Sequence, residues 1–327
     1  MRVVVIGGTG HIGTYLIPLL VSRGHEVTVL SRGLRRPYRT DGGWRHVRTI
    51  ETDRTAEEAA GDFGDRVARL GADVVIDLIC FTEQSAEQLN DALEGRVGHL
   101  LHCGTIWVHG PSAAVPTTED SVRRPLGRYG IEKAAIEKRL LARARRGGLP
   151  ATVIHPGHIT GPGWAPINPA GHLDPGVFED LADGSRVVLP NLGMETLQHV
   201  HAADVAGVFL AAVNNRSVAV GESFHAVADG AVTLRGYAEA AAGWFGRDAD
   251  LDFLPWDEWS RTVPPQQAET TRSHLEHSPH CSMAKTARLL GFRPRYSVLE
   301  ATEEAVLALV DEGRIVVGDG AGPRARP

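Results

Sequence analysis

Three residues of this chain have the types and spacing for proton-transfer chemistry. Tyr129 and Lys133 lie four positions apart in a run, Tyr129–Arg146, whose pattern predicts a helix. That spacing sets both side chains on one helix face, about one turn apart. An ammonium beside a phenol favours the phenolate. The pair therefore predicts a Tyr129 of lowered pKa, able to give or take a proton near neutral pH. Thr105 follows His99–His102, a run that reads as a strand. Ligand chemistry in a parallel sheet gathers at the carboxyl ends of strands, so a hydroxyl there can bind a carbonyl or alcohol oxygen.

A second set of residues suits phosphate. Val3 to Ile6 is an apolar, β-branched run, as a buried parallel strand would be. Gly8, Gly10 and Gly13 then satisfy G-x-G-x-x-G, and Gly7, Gly10 and Gly13 satisfy G-x-x-G-x-x-G. An amphipathic segment follows, from His11 to Arg23. Strand, glycine turn and helix in that order are the context of dinucleotide binding. The main chain of Gly7, Thr9, Gly10, His11, Ile12 and Gly13 can then approach a pyrophosphate at the helix N-terminus. The second strand, Glu26–Leu30, runs into Ser31-Arg32-Gly33. An acid at this place accepts from the ribose 2′-OH of NAD, whereas an arginine accommodates the 2′-phosphate of NADP. No acid is present, Arg32 is placed for a phosphate, and Arg35 and Arg36 add charge. NADP is the expected cofactor, with NAD the alternative.

The elements that position these residues alternate. Further strand candidates are Val47–Thr49, Val74–Leu78 and Ala151–His155, and helices are predicted at Thr55–Leu70 and Glu83–Glu94. This is the βαβ rhythm of an α/β fold, a doubly wound parallel Rossmann sheet. After Pro156 the character changes. Residues 1–165 are read as the dinucleotide-binding domain, with 196–227 returning to it, and 166–195 and 228–315 as a smaller substrate-binding subdomain. Residues 252–279 read as irregular and surface-exposed, and 316–327 as a disordered tail.

Composition narrows the function classes. The 327 residues are 43% hydrophobic and 23% charged, with a formal net charge of −6. That balance disfavours a nucleic-acid binder, which would show a basic face. The three cysteines, Cys80, Cys103 and Cys281, make neither a zinc pattern nor a disulfide framework and fit a cytoplasmic protein. No secretory signal is read at the N-terminus, and no stretch reaches the ~18 apolar residues of a membrane helix. His274, His277 and His280 recur every third residue, and no metal is expected there.

Taken together, the chain resembles the extended short-chain dehydrogenase/reductases of the NAD-dependent epimerase/dehydratase type. The resemblance rests on the glycine turn, on Cys103-Gly-Thr-Ile-Trp-Val-His-Gly110, on Tyr129 and Lys133, and on His155-Pro-Gly157 with Gly161-Pro-Gly163. It extends to His199-Val-His-Ala-Ala-Asp-Val-Ala206 and Ala284-Lys-Thr-Ala-Arg-Leu-Leu-Gly291. It implies Tyr129 as general acid/base, Thr105 orienting the substrate oxygen, and Lys133 also holding the nicotinamide ribose. It implies further that Asp53 contacts the adenine, that Leu78, Ile79 and Cys80 line the adenosine ribose and pyrophosphate, and that Pro156, Gly157 and Ile159 border the cofactor. The family commonly pairs through the helices that here are Glu83–Glu94 and Tyr129–Arg146, which implies a homodimer.

Departures from the family pattern shape the expected reaction. Dehydratases follow the catalytic Thr with Asp-Glu, where this chain has Ile106 and Trp107. Sugar-nucleotide epimerases carry an Arg where Leu197 stands, and Tyr-Phe-Asn where Pro156-Gly157-His158 stands. The expectation is an NAD(P)-dependent oxidoreductase acting on a carbonyl or alcohol of a small organic molecule. The alternatives are a sugar or sugar-nucleotide epimerase with tightly held cofactor, and a non-enzymatic cofactor sensor or RNA-binding relative. Trp107, His109 and His158 are candidate substrate residues, and either histidine is a candidate extra acid/base.

Overall fold

The computed structural model describes residues 1–39 and 42–318. Inside its main sheet lies β1 (Arg2–Ile6), apolar from Val3 to Ile6 because both faces are covered there. Val3 and Val5 enter one core cluster, Val4 and Ile6 the other. Successive side chains of a strand point to opposite faces, so a strand between two helical layers must be apolar at every position. Five more strands follow in the first half: β2 (Glu26–Ser31), β3 (Arg48–Glu51), β4 (Val74–Asp77), β5 (His99–Cys103) and β6 (Ala151–Pro156). Four short strands come next, β7 (His158–Thr160), β8 (Val187–Pro190), β9 (Thr196–Leu197) and β10 (His199–His201). The last are β11 (Ser223–Ala226), β12 (Val232–Thr233) and β13 (Leu251–Leu254). The seven-stranded sheet has the order β11-β6-β5-β4-β1-β2-β3. All its pairings are parallel. This is a Rossmann-like α/β sheet.

Helices α1 (His11–Ser22), α2 (Arg54–Ala60), α3 (Phe63–Arg69), α4 (Glu83–Leu93) and α5 (Gly127–Arg145) flank it. The run predicted as one helix, Thr55–Leu70, is two. Gly61 takes φ 80° and ends α2 in the left-handed conformation, and α3 restarts after Asp62.

The second half adds α6 (Gly176–Asp183), α7 (Ala202–Asn214), α8 (Arg216–Ala219), α9 (Leu234–Trp244) and α10 (Trp256–Trp259). It ends with α11 (Pro265–His277), α12 (Ala284–Leu290) and α13 (Val298–Asp311). Phe178, Leu234, Tyr237, Trp259 and Val306 share a separate core there. Segment 252–279 is neither irregular nor superficial. β13 pairs with β8, and Trp259 is buried, its indole donating to Val188 O at 2.9 Å. The buried face of α11 is Thr271, His274 and His277. A polar buried face leaves no apolar periodicity to read.

In the stretch read as a tail, the amides of Val316 and Gly318 donate to Glu179 and Asp183 of α6. Residues 319–327 lie outside the described residues.

Candidate active site

A cleft of about 400 Å³ opens beside the glycine turn, at the carboxyl ends of β1, β2 and β3. Gly7, Thr9, Gly10, Arg32, Asp53 and Ile79 line it. The turn itself is close-packed. Gly7 has φ 82°, and a Cβ on Gly13 would lie 2.0 Å from Gly8 O. Helix α1 can therefore press its N-terminus against the turn only while residue 13 is glycine, which leaves amides free to face a pyrophosphate. These residues fit a dinucleotide.

His11 and Ile12 can contribute main chain only. The Ile12 side chain is in the core, and the His11 ring hydrogen-bonds the Tyr38 hydroxyl and stacks on Trp164 at 5.0 Å. Burial lowers the His11 pKa to about 3, so it is neutral. Leu78 is buried. Pro156, Gly157 and Ile159 do not line this cleft. Gly157 N donates to Ala226 O, and Ile159 packs on the core.

Phe63, Phe81 and Arg54 are among the lining residues that went unread in the sequence. Phe63 and Phe81 supply apolar walls, and Arg54 stands at the base. Arg54 Nη1 donates to both carboxylate oxygens of Asp77, at 2.8 and 2.9 Å, and its Nε to Glu58 at 2.6 Å. Nothing local distinguishes Arg54, at the start of α2, from a solvated arginine, because Asp77 reaches it from the end of β4.

Thr105, Tyr129 and Lys133 come together past the end of β5. Lys133 is 2% exposed, and its Nζ donates to Cys80 O at 2.7 Å and Cys103 O at 2.6 Å. Cys80 thus contributes its carbonyl, while its side chain is buried. The ammonium lies 5.9 Å from the Tyr129 ring centroid. Tyr129 is 41% exposed as a residue, while its hydroxyl is turned to Thr105 and Cys103. Desolvation there, with Cys103 adding to it, pushes the phenol up to about 12 against the opposing hydrogen bond with Thr105. The expected lowering by Lys133 is therefore corrected. Main-chain carbonyls claim that ammonium, and burial decides the phenol.

Trp107 connects this group to the second half of the chain. Its ring meets Tyr129 edge-on at 6.1 Å and stacks on His277 at 4.2 Å, and its Nε1 donates to His158 Nε2 at 3.4 Å. Burial holds His158 well below its usual pKa. His109 is further from the expected role. Its ring nitrogens face Arg123 at 3.3 Å and His225 at 2.8 Å, and burial lowers its pKa to about 3. Both histidines are held neutral near pH 7, so neither stands ready as a charged acid. His109 belongs to a buried network instead of the substrate cleft.

Comparison with known proteins agrees with this architecture. The sequence model of the NAD dependent epimerase/dehydratase family matches residues 3–226, and the chain belongs to that family. The family is NAD-dependent, and relatives at low identity include both epimerases and reductases. The chain is 25% identical over 314 residues to the chloroplast stem-loop binding protein of 41 kDa b of Arabidopsis thaliana, covering 93% of this chain and 78% of that one. It is 30% identical over 217 residues to 2′-dehydrokanamycin reductase of Streptomyces kanamyceticus, covering 64% of this chain and 57% of that one. Among solved structures, UDP-glucose 4-epimerase of Thermotoga maritima, determined with UDP-glucose, superposes with a TM-score of 0.71. It is 20% identical, over 95% of this chain and 99% of that one. The dTDP-glucose 4,6-dehydratase of Bacillus anthracis, in complex with NAD, gives 0.74 at 15% identity, over 96% and 98%. Among the described residues no helix is long and apolar enough to cross a membrane.

Proposed function

We propose that the protein is an NADP-dependent oxidoreductase that moves a hydride to or from a carbonyl or alcohol carbon of a small organic molecule. The observation that carries this reading is the convergence of Thr105, Tyr129 and Lys133, with Arg32 and Arg35 on the neighbouring cleft. When bound, the nicotinamide supplies or accepts the hydride. Tyr129, held protonated at neutral pH by a pKa of about 12, gives its proton to the forming alkoxide. Thr105 orients that oxygen. Lys133 spends two of its three ammonium donors on Cys80 and Cys103, which leaves one for the nicotinamide ribose.

The face of Trp107 and the neutral imidazoles of His158, His274 and His277 offer apolar surface and hydrogen-bond acceptors, not positive charge. With Leu197 in place of an arginine, this favours a substrate without a diphosphate. A reductase of 2′-dehydrokanamycin among the relatives supports the reductive direction. The buried free thiols of Cys80, Cys103 and Cys281 support a reducing, cytoplasmic setting. The epimerase reading is favoured by the UDP-glucose 4-epimerase relatives. The nucleic-acid reading draws on the stem-loop binding relative, but a net charge of −6 and the converging side chains oppose it.

A screen of cyclic ketones and their alcohols, followed by NADPH absorbance, tests the proposal. Consumption of NADPH in preference to NADH is expected. A dinucleotide that copurifies, with substrate turned over but no net oxidation of cofactor, would transfer the assignment to an epimerase.

A further inference from the structure

We propose that Arg123, Glu137 and His155, braced by His109 and His225, form a buried positioning relay that holds Thr105 in place. The inference rests on the reading of Thr105 as the residue that orients the substrate oxygen.

The contacts are continuous. Arg123 Nε and Nη2 donate to the two Glu137 oxygens at 2.9 and 2.6 Å. Its Nη1 donates to Glu119 O and Ser121 O, each at 2.8 Å, and faces His109 Nδ1 at 3.3 Å. Glu137 meets His155 Nε2 at 3.0 Å. His155 Nδ1 receives the main-chain N–H of Thr105 at 3.0 Å.

These partners leave the imidazoles no choice of tautomer. An amide N–H and a guanidinium only donate, and a carboxylate or carbonyl only accepts. His155 must then be bare at Nδ1 and protonated at Nε2. Ser282 O claims the Nδ1–H of His225, so His225 Nε2 is bare and accepts the His109 Nε2–H at 2.8 Å, which leaves His109 Nδ1 bare toward Arg123. His225 passes its Nδ1–H to Ser282 O at 3.0 Å. Every ring is satisfied as a neutral imidazole. The same logic removes a cation site. His109, His225 and Cys281 offer ligand atoms within 4.8 Å of one another. A metal there would need a bare Nε2 on His109, which would turn its Nδ1–H against the Arg123 donor.

The relay ends on the turn that carries Thr105, which is held at three successive residues. Lys133 Nζ donates to Cys103 O at 2.6 Å, Gly104 N to Ile154 O at 2.7 Å, and Thr105 N to His155. Gly104 admits the imidazole, because a Cβ there would lie 2.4 Å from His155 Nδ1. Tyr129, Lys133 and Glu137 follow at intervals of four on α5. One helix face thus bears the acid, the ammonium that grips the turn directly, and the carboxylate that grips it through His155.

Two arms test the relay. In protein labelled with ¹⁵N-histidine, two-bond ¹H–¹⁵N correlations should place the proton on Nε2 of His155 and His109 and on Nδ1 of His225. His155→Asn keeps an acceptor for Thr105 N–H, and His155→Leu removes it. With a ketone found in the NADPH screen, His155→Leu should lose ~10- to 100-fold in kcat, the scale of a small misplacement at a reacting centre. Its KM for NADPH should stay near wild type, and His155→Asn should recover most of the kcat at a comparable Tm. A proton on His155 Nδ1, or kcat losses that simply follow Tm in both variants, would overturn the proposal. Should His155→Leu fail to fold, the spectra and His155→Asn decide. If no ketone is turned over, the oxidoreductase reading fails, while the spectra still decide the relay.

Discussion

Replacing Arg32 by alanine should separate the two dinucleotides. The cleft lining holds three arginines, Arg32, Arg35 and Arg54, and one carboxylate, Asp53. Arg54 is committed to Asp77 and Glu58, and Asp53 caps α2 by accepting from Ala56 N at 3.2 Å. Arg32 and Arg35 therefore remain to meet a phosphate, and Ser31 rather than an acid ends β2. A hydrogen bond from a guanidinium to a phosphate contributes about 1.5–3 kcal/mol. At ~1.4 kcal/mol per decade, that is roughly 10- to 100-fold in Kd. Both arginines are exposed and Arg35 survives the substitution, so the expected loss for NADP⁺ is at the low end, about tenfold. NAD⁺ lacks the phosphate and should change less than about twofold. The double variant Arg32→Ala, Arg35→Ala should lose more than either single one. Calorimetric titration of both dinucleotides into each protein measures this. Because screening shortens from about 8 Å at physiological salt to about 3 Å at 1 M, the NADP⁺ advantage should also shrink with salt. Equal losses for both dinucleotides, or a wild type that prefers NAD⁺, would refute the argument.

Tyr129→Phe should lower kcat by about 10²- to 10⁴-fold on the true substrate while dinucleotide binding survives, and wild-type turnover would remove the acid/base assignment. Gly13→Ala drives a Cβ to 2.0 Å from Gly8 O and should cost about 1–3 kcal/mol, together with dinucleotide affinity. Gly243→Ala, in open space on α9, should be neutral or stabilising, and similar melting curves for the two would contradict the packing argument. Burial pushes the Glu137 carboxyl up, but the Nε2–H of His155 and the guanidinium of Arg123 outweigh that and hold it well below the usual range. A depressed folded-state pKa contributes stability above the unfolded value, about 4.3, and loses it as pH falls further. The stability gap between wild type and Glu137→Gln should therefore narrow on acidification below about pH 4, and a gap independent of pH would count against the pairing. A homodimer through α4 and α5 should sediment at twice the 35.1 kDa chain mass. Within the chain, Arg139 pairs with Glu83 and Glu87 and Arg143 with Asp91 and Glu94, which neutralises that face beside exposed Ile131, and a clean monomer would exclude the pairing.

What was legible in the sequence was what depends on neighbours along the chain. The strand–glycine turn–helix at its start is set by β-branched residues and by glycines whose missing Cβ is a local property. The alternation of strand and helix follows from periodicity, and the spacing of Tyr129 and Lys133 from helical geometry. Even local logic failed where the signal was absent. Gly61 breaks a helix that the pattern ran through, and α11 buries Thr271, His274 and His277, a polar face with no apolar stripe.

Tertiary structure decided charge states and partners, because both depend on desolvation and on groups delivered by distant strands. Lys133 finds the carbonyls of Cys80 and Cys103, 53 and 30 positions away, and desolvation raises Tyr129 where spacing alone suggested a lowering. His109, four residues after Thr105, faces His225, 116 positions on, and is part of a neutral buried network. His155 and the Thr105 amide are 50 positions apart, and only the parallel pairing of β5 with β6 brings them within a hydrogen bond. A residue's type and spacing say what chemistry it can do. The low-dielectric interior and the partners met there decide its protonation and where it points.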